Sequence, residues 1–296
     1  MLALAVPFNR FTLPILRIGY RFSSSPGPGV TQTTRHVGGV RVLVFAPTAL
    51  SSPRPAVLWI HGGGMCVGTP QIEAVLSAEM AREVGAVVVS PDYRLAPENP
   101  FPAALDDCVA TLKWMAERAD ELGIDPDRIA VHGVSAGGGL AASIAQRSLD
   151  EGIALRAQVL GYPMLDDRTT LCADHAGRGE LAWTPSSNRW AWTAYLGREP
   201  RLSDPPQYAA PARRADLAGL APAWIGIGEL DLFYEESVAY AERLIAAGVP
   251  CELVTVHGMY HGADHIAPEA LSMSNFHASM VAFLRAQLMS ATPNSA

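Results

Sequence analysis

The sequence predicts an α/β fold: a mainly parallel central sheet with helices on both faces and a helical cap. Short, continuous apolar runs alternate along the chain with longer segments of helical pattern. A continuous apolar run is typical of a strand buried on both faces, and alternation with helices is typical of parallel strands joined by helical crossovers. The predicted strands are 56–60, 86–89, 129–132, 157–160, 223–227 and 252–256, of which 56–60 and 86–89 are predicted to be buried on both faces.

The remaining elements follow from the same patterns, taken in chain order. A less regular strand is predicted at 40–45, ahead of the first buried run. The helix predicted at 102–122 has proline near its start and Gly123 at its end, which are favoured residues at those two positions. The predicted helices are 72–84, 102–122, 136–151, 236–247 and 272–288.

Composition and charge limit the classes of partner. The chain has 296 residues, which suits one large α/β domain or two smaller ones. Hydrophobic residues make up 49%, enough for a sizeable core. The formal net charge is −7 and no basic cluster occurs, so no nucleic-acid partner is expected.

Cysteine usage and the termini predict a cytoplasmic protein. Cys66, Cys108, Cys172 and Cys251 form no C-x-x-C pair and are typical of scattered reduced thiols. The apolar stretch at 1–6 is short and no basic residue precedes it, so a secretory signal is not predicted. No apolar run approaches the roughly 18 residues of a spanning helix.

The alternation of strands and helices lapses between about 166 and 211, where tryptophans and prolines are concentrated. A structureless loop of this length is rare inside a compact domain, so the stretch is predicted as a helical insertion that caps the sheet. The alternative is a peripheral helix pair whose aromatic residues belong to the core. The predicted organisation is an N-terminal cap segment 1–39, a main domain 40–165 and 212–296, and the cap insertion 166–211.

A candidate nucleophile lies in the G-x-S-x-G sequence at 133–137. The motif follows one predicted strand and opens a predicted helix. Glycines two residues on either side of Ser135 permit a sharp turn that exposes its hydroxyl above the sheet. The alternative is a glycine-rich turn that only closes a strand–helix corner.

A serine hydroxyl needs a general base, and the base needs an orienting acid. Active groups of open α/β sheets lie just past the carboxyl ends of strands. Asp231 follows one predicted strand and His261 follows the last one. The chain order serine, acid, histidine is that of the α/β-hydrolase architecture, which is therefore the predicted fold.

Other residues near the same strand ends are candidates for base and acid. His257 lies at a strand end where burial is expected, and the spacing of His257, His261 and His265 would align three zinc ligands on a helix. The glycines among these histidines disfavour such a helix, and His261 is the preferred base. Glu229, Glu235 and Glu236 are alternatives to Asp231, the last two being typical of solvated carboxylates at a helix start.

Acyl transfer also needs donors for a developing oxyanion. The H-G-G-G sequence at 61–64 suits this role, because glycines let backbone N–H groups approach a ligand closely. The N–H of Ala136, the residue after Ser135, is a further candidate donor. The alternative is a glycine-rich turn without a binding role.

Four motifs together resemble the hormone-sensitive-lipase-like family of esterases and lipases. They lie at 61–64, 92–98, 101–104 and 133–139, and the similarity runs from about residue 55 to the C-terminus. The resemblance implies that Ser135 is the nucleophile, His261 the base and Asp231 its partner. It also implies that the N-terminal segment and the insertion cover the site, that 92–98 is a structural brace and that the protein forms homodimers.

The resemblance further implies that Gly63, Gly64 and Ala136 are the oxyanion donors. Two positions depart from the family pattern: Val134 stands where aspartate is common, and Gly139 stands where asparagine is common. Val134 removes a carboxylate beside the nucleophile without removing any member of the triad. The departure bears on which subgroup of the family the chain resembles, and therefore on its substrate preference.

The predicted function is a serine carboxylesterase that hydrolyses small, apolar, short- to medium-chain esters through an acyl-enzyme. The predicted chemistry needs no metal and no organic cofactor. One alternative is a lactone or amide hydrolase on the same triad. Another is a non-catalytic small-molecule receptor of the same fold, which would be expected to lack the histidine, whereas His261 is present.

Overall fold

A computed structural model describes residues 8–19, 27–49, 53–203 and 205–289. Eight strands in this part of the chain form one sheet in the order β1-β2-β4-β3-β5-β6-β7-β8. The strands are β1 Val30–Val37, β2 Val40–Pro47, β3 Arg54–Ile60, β4 Val87–Pro91, β5 Ile124–Val134, β6 Ala157–Gly161, β7 Ala223–Gly228 and β8 Cys251–Val256. The stretch at 1–6 and most of 23–29 lie outside the described residues.

The strands from β4 through β3 to β8 are parallel neighbours, and β2 and β1 are antiparallel at one edge. Helices connect the parallel strands, so the predicted α/β-hydrolase fold is confirmed. The helices are α1 Leu13–Gly19, α2 Ala74–Val84, α3 Ala103–Glu117, α4 Ala119–Leu122, α5 Ala136–Asp150, α6 Pro185–Leu196, α7 Tyr234–Ala246, α8 Ala263–Ile266 and α9 Leu271–Met289.

Strand β1 belongs to the sheet, although the sequence placed its residues in the N-terminal cap segment. Its side chains are mostly polar and exposed, with only Val30 buried. A strand that forms the edge of a sheet and faces solvent shows no apolar alternation, so its pattern gave no signal. The division of the chain into cap and main domain stays a prediction.

The centre of the sheet is buried on both faces, as its apolar runs predicted. All residues of β4, β6 and β7 are buried. Because β3, β5, β6, β7 and β8 are parallel, their carboxyl ends lie at one edge of the sheet. The loops that follow these strands therefore meet there.

Among its described residues, the stretch 166–213 contains one regular α-helix and two short 3₁₀ turns, Asp167–Leu171 and Pro211–Arg213. Helix α6 begins at Pro185, and the Thr184 hydroxyl caps it by accepting the Ser187 N–H. Trp192 and Tyr195 on this helix are buried. Within the described ranges, no helix is long and apolar enough to cross a bilayer.

Candidate active site

Ser135 occupies a sharp turn between β5 and α5. Its backbone has φ 56° and ψ −124°, a conformation that non-glycine residues rarely adopt and that is concentrated at functional sites. A Cβ on Gly133 would lie 2.2 Å from the Gly137 carbonyl oxygen, and one on Gly137 would lie 2.1 Å from that of Ile60. Both positions therefore require glycine, for the reason the sequence suggested.

Backbone hydrogen bonds hold this turn in place. The Ser135 N–H donates to the Gly161 carbonyl (2.8 Å), and the Ser135 carbonyl accepts from the Met164 N–H (2.9 Å). A Cβ on Gly139 would lie 2.1 Å from the Met164 carbonyl oxygen. A larger residue at position 139, such as the asparagine common in the family, would collide with the backbone here.

The structure brings Ser135, His261 and Asp231 into one hydrogen-bonded chain. Ser135 Oγ lies 2.8 Å from His261 Nε2, and His261 Nδ1 lies 2.8 Å from Asp231 Oδ2. Asp231 is fully buried, and its Oδ1 accepts the Phe233 N–H at 2.9 Å. A buried carboxylate on Nδ1 favours the tautomer that carries its proton there, which leaves the Nε2 lone pair facing the serine hydroxyl.

The two loops that carry Asp231 and His261 are bonded to each other. The Leu230 N–H donates to the Met259 carbonyl (3.0 Å), and the Glu229 N–H donates to the Val256 carbonyl (3.1 Å). A Cβ on Gly228 would lie 2.1 Å from the Met259 carbonyl oxygen, so the close approach requires glycine at the end of β7. These contacts set the spacing of acid and base.

Aromatic rings surround the His261 imidazole. The centroids of Tyr162, Phe233 and Trp183 lie 5.0, 5.3 and 5.9 Å from that of His261. Burial raises the pKa of Tyr162 well above its usual value, so its hydroxyl stays neutral and donates to Asp264 at 2.9 Å. The rings shield the Ser135–His261 hydrogen bond from water, which strengthens it.

The loop after β3 lines the same cavity as Ser135. Gly63 and Gly64 have φ 112° and 60°, and a Cβ on Gly64 would lie 2.6 Å from the Trp183 ring. No acceptor within the described part of the chain is bonded to the N–H groups of Gly63, Gly64 or Ala136. Free N–H groups beside a nucleophile suit an oxyanion.

A buried carboxylate that sequence analysis missed holds this loop. Glu73 Oε1 accepts the Gly62 N–H at 3.2 Å, and its Oε2 accepts the Trp59 indole N–H at 2.5 Å. Glu73 also lines the cavity in front of Ser135. Glu73 lies at the start of α2, where the helix dipole favours a carboxylate even on the protein surface. Its position in the sequence therefore did not indicate a role in the site.

The predicted brace at 92–98 contacts the same loop from beneath. The Tyr93 hydroxyl donates to the His61 carbonyl at 2.9 Å, and the two rings stack 4.2 Å apart. Burial lowers the pKa of His61, so the imidazole is neutral. Its Nδ1 lies 2.8 Å from the Gly62 carbonyl, which accepts the ring proton.

The alternative histidines have partners other than Ser135. His257 pairs with Glu229 at 2.7 Å and its side chain is 96% exposed, so the expected burial at this strand end was wrong. Strand β8 is the last in the sheet, and none of its residues is fully buried. His265 lies 3.9 Å from Asp264. Among the residues that the structure describes, no cluster of His, Cys, Asp or Glu could hold a metal ion.

The alternative carboxylates also have other partners. Glu235 is exposed and pairs with Arg178 at 2.8 Å. Glu236 is buried, contrary to the expectation of a solvated group, because its Oε1 accepts the N–H groups of Leu165 and Asp166. Burial raises the pKa of Glu236 well above its usual value.

A cavity of about 340 Å³ lies in front of Ser135. Much of its wall is apolar, and it includes Trp183 from the insertion and Phe8 from the N-terminal segment. These two rings are in edge contact, with centroids 5.0 Å apart. Ligand cavities are commonly about 300–1,000 Å³, so this one suits a small molecule.

Comparisons with known proteins agree on one family. Residues 57–265 match the family described as alpha/beta hydrolase fold. The chain is 39% identical to Esterase LipI of Mycobacterium tuberculosis over 230 residues, covering 75% of this chain and 70% of the relative. It is 41% identical to Carboxylesterase NlhH of the same species over 237 residues, covering 77% and 72%. The solved structure named Bacterial Heroin Esterase has a TM-score of 0.86 at 36% identity, covering 95% of this chain and 91% of that one.

Proposed function

This chain belongs to the alpha/beta hydrolase family, in its hormone-sensitive-lipase-like group of carboxylic ester hydrolases, and we propose that it acts through an acyl-enzyme on Ser135. One observation carries the proposal: the unbroken chain of 2.8 Å contacts from Ser135 Oγ through His261 to Asp231. This is the geometry that a serine nucleophile, a general base and an orienting acid need.

In the first half-reaction, Ser135 Oγ attacks the ester carbonyl carbon while His261 Nε2 accepts the hydroxyl proton. Asp231 stabilises the imidazolium that forms. The N–H groups of Gly63, Gly64 and Ala136 stabilise the tetrahedral oxyanion, and each such donor contributes about 2.7–4 kcal/mol. His261 then protonates the leaving alkoxide, and the C–O bond to the alcohol breaks.

In the second half-reaction, water replaces the alcohol. His261 removes a proton from this water as it attacks the acyl carbonyl, and the same backbone donors stabilise the second oxyanion. The tetrahedral intermediate collapses, Ser135 recovers its proton from the imidazolium, and the carboxylic acid leaves. The chain's own residues supply every proton transfer in this cycle.

The cavity supports small, apolar, short- to medium-chain esters as substrates. Phe8, Ile72, Ala182, Trp183 and Ile266 form apolar parts of its wall. Apolar walls favour hydrocarbon arms, because these leave water on binding. The volume of about 340 Å³ is near the lower end of the range for ligand sites, which favours small esters.

Replacement of the nucleophile tests the proposal. Ser135→Ala should lower kcat for p-nitrophenyl butyrate by about 10⁶-fold, because loss of the serine removes the covalent pathway. Far-ultraviolet circular dichroism should show unchanged folding. A variant that is folded and retains wild-type turnover would refute the assignment of Ser135.

We also propose a cytoplasmic location and a homodimer. Four free cysteines support the first, because reduced thiols are typical of reducing compartments. The homodimer rests on the family resemblance and can be measured by light scattering.

A further inference from the structure

A second cavity, of about 650 Å³, lies between one face of the sheet and the helices α2 and α9. We call it the α2–α9 groove. Its floor comes from the ends of β3, β5 and β6, and its two walls come from the helices. The floor residues are Trp59, His132, Val134 and Gly161, and the wall residues include Leu76, Glu79, Glu83, Met273, Phe276, His277, Ala278 and Met280.

The groove has the shape of a channel along α2. Leu76, Glu79 and Glu83 are three and four residues apart, so they lie on one face of the helix. Glu73, at the start of α2, lines the catalytic cavity, and Glu83 lies at the far end of the groove. Since an α-helix rises about 1.5 Å per residue, the stretch from Glu73 to Glu83 is roughly 15 Å long.

The groove begins beside the nucleophile. Val134 and His265 line both the catalytic cavity and the groove. Val134 lies between two glycines: a Cβ on Gly161 would be 3.0 Å from Val134 Cγ1, and a Cβ on Gly62 would be 3.6 Å from Cγ2. Beside Ser135, the boundary between the two cavities is therefore formed by Val134, together with His265 and the Tyr162–Asp264 hydrogen bond (2.9 Å).

Polarity changes along the groove. Leu76, Met273, Phe276 and Met280 give its lining an apolar character. Charged side chains lie at both ends: Asp264 and His265 beside the catalytic cavity, and His277 of α9, which pairs with Glu83 of α2 at 2.7 Å, at the outer end. An apolar stretch between two polar ends suits a flexible hydrocarbon chain, which gains by leaving water and needs no hydrogen-bond partner along that stretch.

We propose that the α2–α9 groove binds an unbranched aliphatic arm of the ester substrate, one that extends past Val134 beyond the catalytic cavity. The inference rests on the proposed esterase function and adds a class of longer-chain substrates. Val134 is then a specificity-determining residue. The aliphatic arm belongs either to the acyl group or to the alcohol, and the two sources share the same chemistry.

Two ester series distinguish these sources. p-Nitrophenyl butyrate and laurate differ in the acyl chain, and ethyl and dodecyl acetate differ in the alcohol, all used below the concentration of micelle formation. Leu76→Trp adds a bulky ring to the α2 wall of the groove, and Ala278→Trp adds one at the exposed rim of the α9 wall. Asn275→Trp is the matched control, because Asn275 is exposed on α9 and does not line the groove. Thermal melts verify that each variant is folded.

Wild type should hydrolyse the long member of one series. In that series, the ratio of kcat/KM for the long ester to that for the short ester should fall at least tenfold in Ala278→Trp and Leu76→Trp. The ratio should not fall in Asn275→Trp. The series that responds identifies the arm that the groove binds.

Two results overturn the groove proposal while leaving the esterase proposal intact. One is a wild type that hydrolyses the short esters and neither long one. The other is a long-to-short ratio that the two groove variants leave at the value of Asn275→Trp. A wild type that hydrolyses neither short ester overturns the proposed function itself, and the role of the groove with it.

Discussion

Asp231 and Glu235 lie four residues apart in the chain but in opposite environments. The Asp231 carboxylate is fully buried against His261 and also accepts the Phe233 N–H. Glu235 lies in the first turn of the following helix, is 75% exposed and pairs with Arg178. At the scale of single residues, burial and hydrogen bonding distinguish an orienting acid from a surface carboxylate.

Neutralising each carboxylate in turn tests this distinction. Asp231→Asn should lower kcat for p-nitrophenyl butyrate by about 10⁴-fold, because an amide no longer holds the productive imidazole tautomer. Glu235→Gln is the matched control and should change kcat less than about twofold, since exposed ion pairs contribute little. A large loss in Glu235→Gln beside near-normal turnover in Asp231→Asn would reassign the acid.

Sequence reasoning selected the three residues that the structure brings together, because each follows a predicted strand whose end lies at the same edge of the sheet. Glu73 could not be found in this way. Its role depends on contacts with Gly62 and Trp59, which become neighbours only in the folded chain. The prediction that His257 is buried was wrong for a related reason, because the exposure of a residue at a strand end depends on the strand's place in the sheet.

At the scale of elements, a buried ion pair joins the two 3₁₀ turns, Asp167–Leu171 and Pro211–Arg213. Arg213 and Asp167 are 2.9 Å apart, with side chains 8% and 3% exposed. Arg213 also donates to the carbonyl of Arg201 at 2.7 Å. One guanidinium thus joins three separate segments of the stretch between β6 and β7.

Removing one partner of this pair should be costly. Asp167→Ala leaves a buried guanidinium without its carboxylate and should lower the free energy of unfolding by about 3–5 kcal/mol. Glu199→Ala breaks the exposed Arg189–Glu199 pair and should cost less than about 1 kcal/mol. Urea unfolding measures both variants, and equal losses would contradict the structural role of the Asp167–Arg213 pair.

At the scale of the whole molecule, the strongly apolar strands could be predicted from the sequence, whereas the edge strand β1 could not. The runs that became β3 to β7 are buried on both faces, so their composition alone identifies them. β1 is paired on one side and mostly exposed, so its residues carry no comparable pattern. The stretch at 166–211 could be predicted in part. Helix α6 has an N-cap and buried aromatic residues, which are visible in the sequence. The 3₁₀ turns depend on contacts such as Asp167–Arg213, which form only in the folded chain.

The folded protein is expected to contain one activated serine, Ser135. Covalent labelling tests this claim most directly. After incubation with a fluorophosphonate probe, intact mass and peptide mapping should show one adduct per chain, located on Ser135. Ser135→Ala should remain unlabelled, and Asp231→Asn should label more slowly, because His261 activates the hydroxyl less well. An adduct on another residue would contradict the account, and a folded wild type that takes no label would favour a non-catalytic receptor.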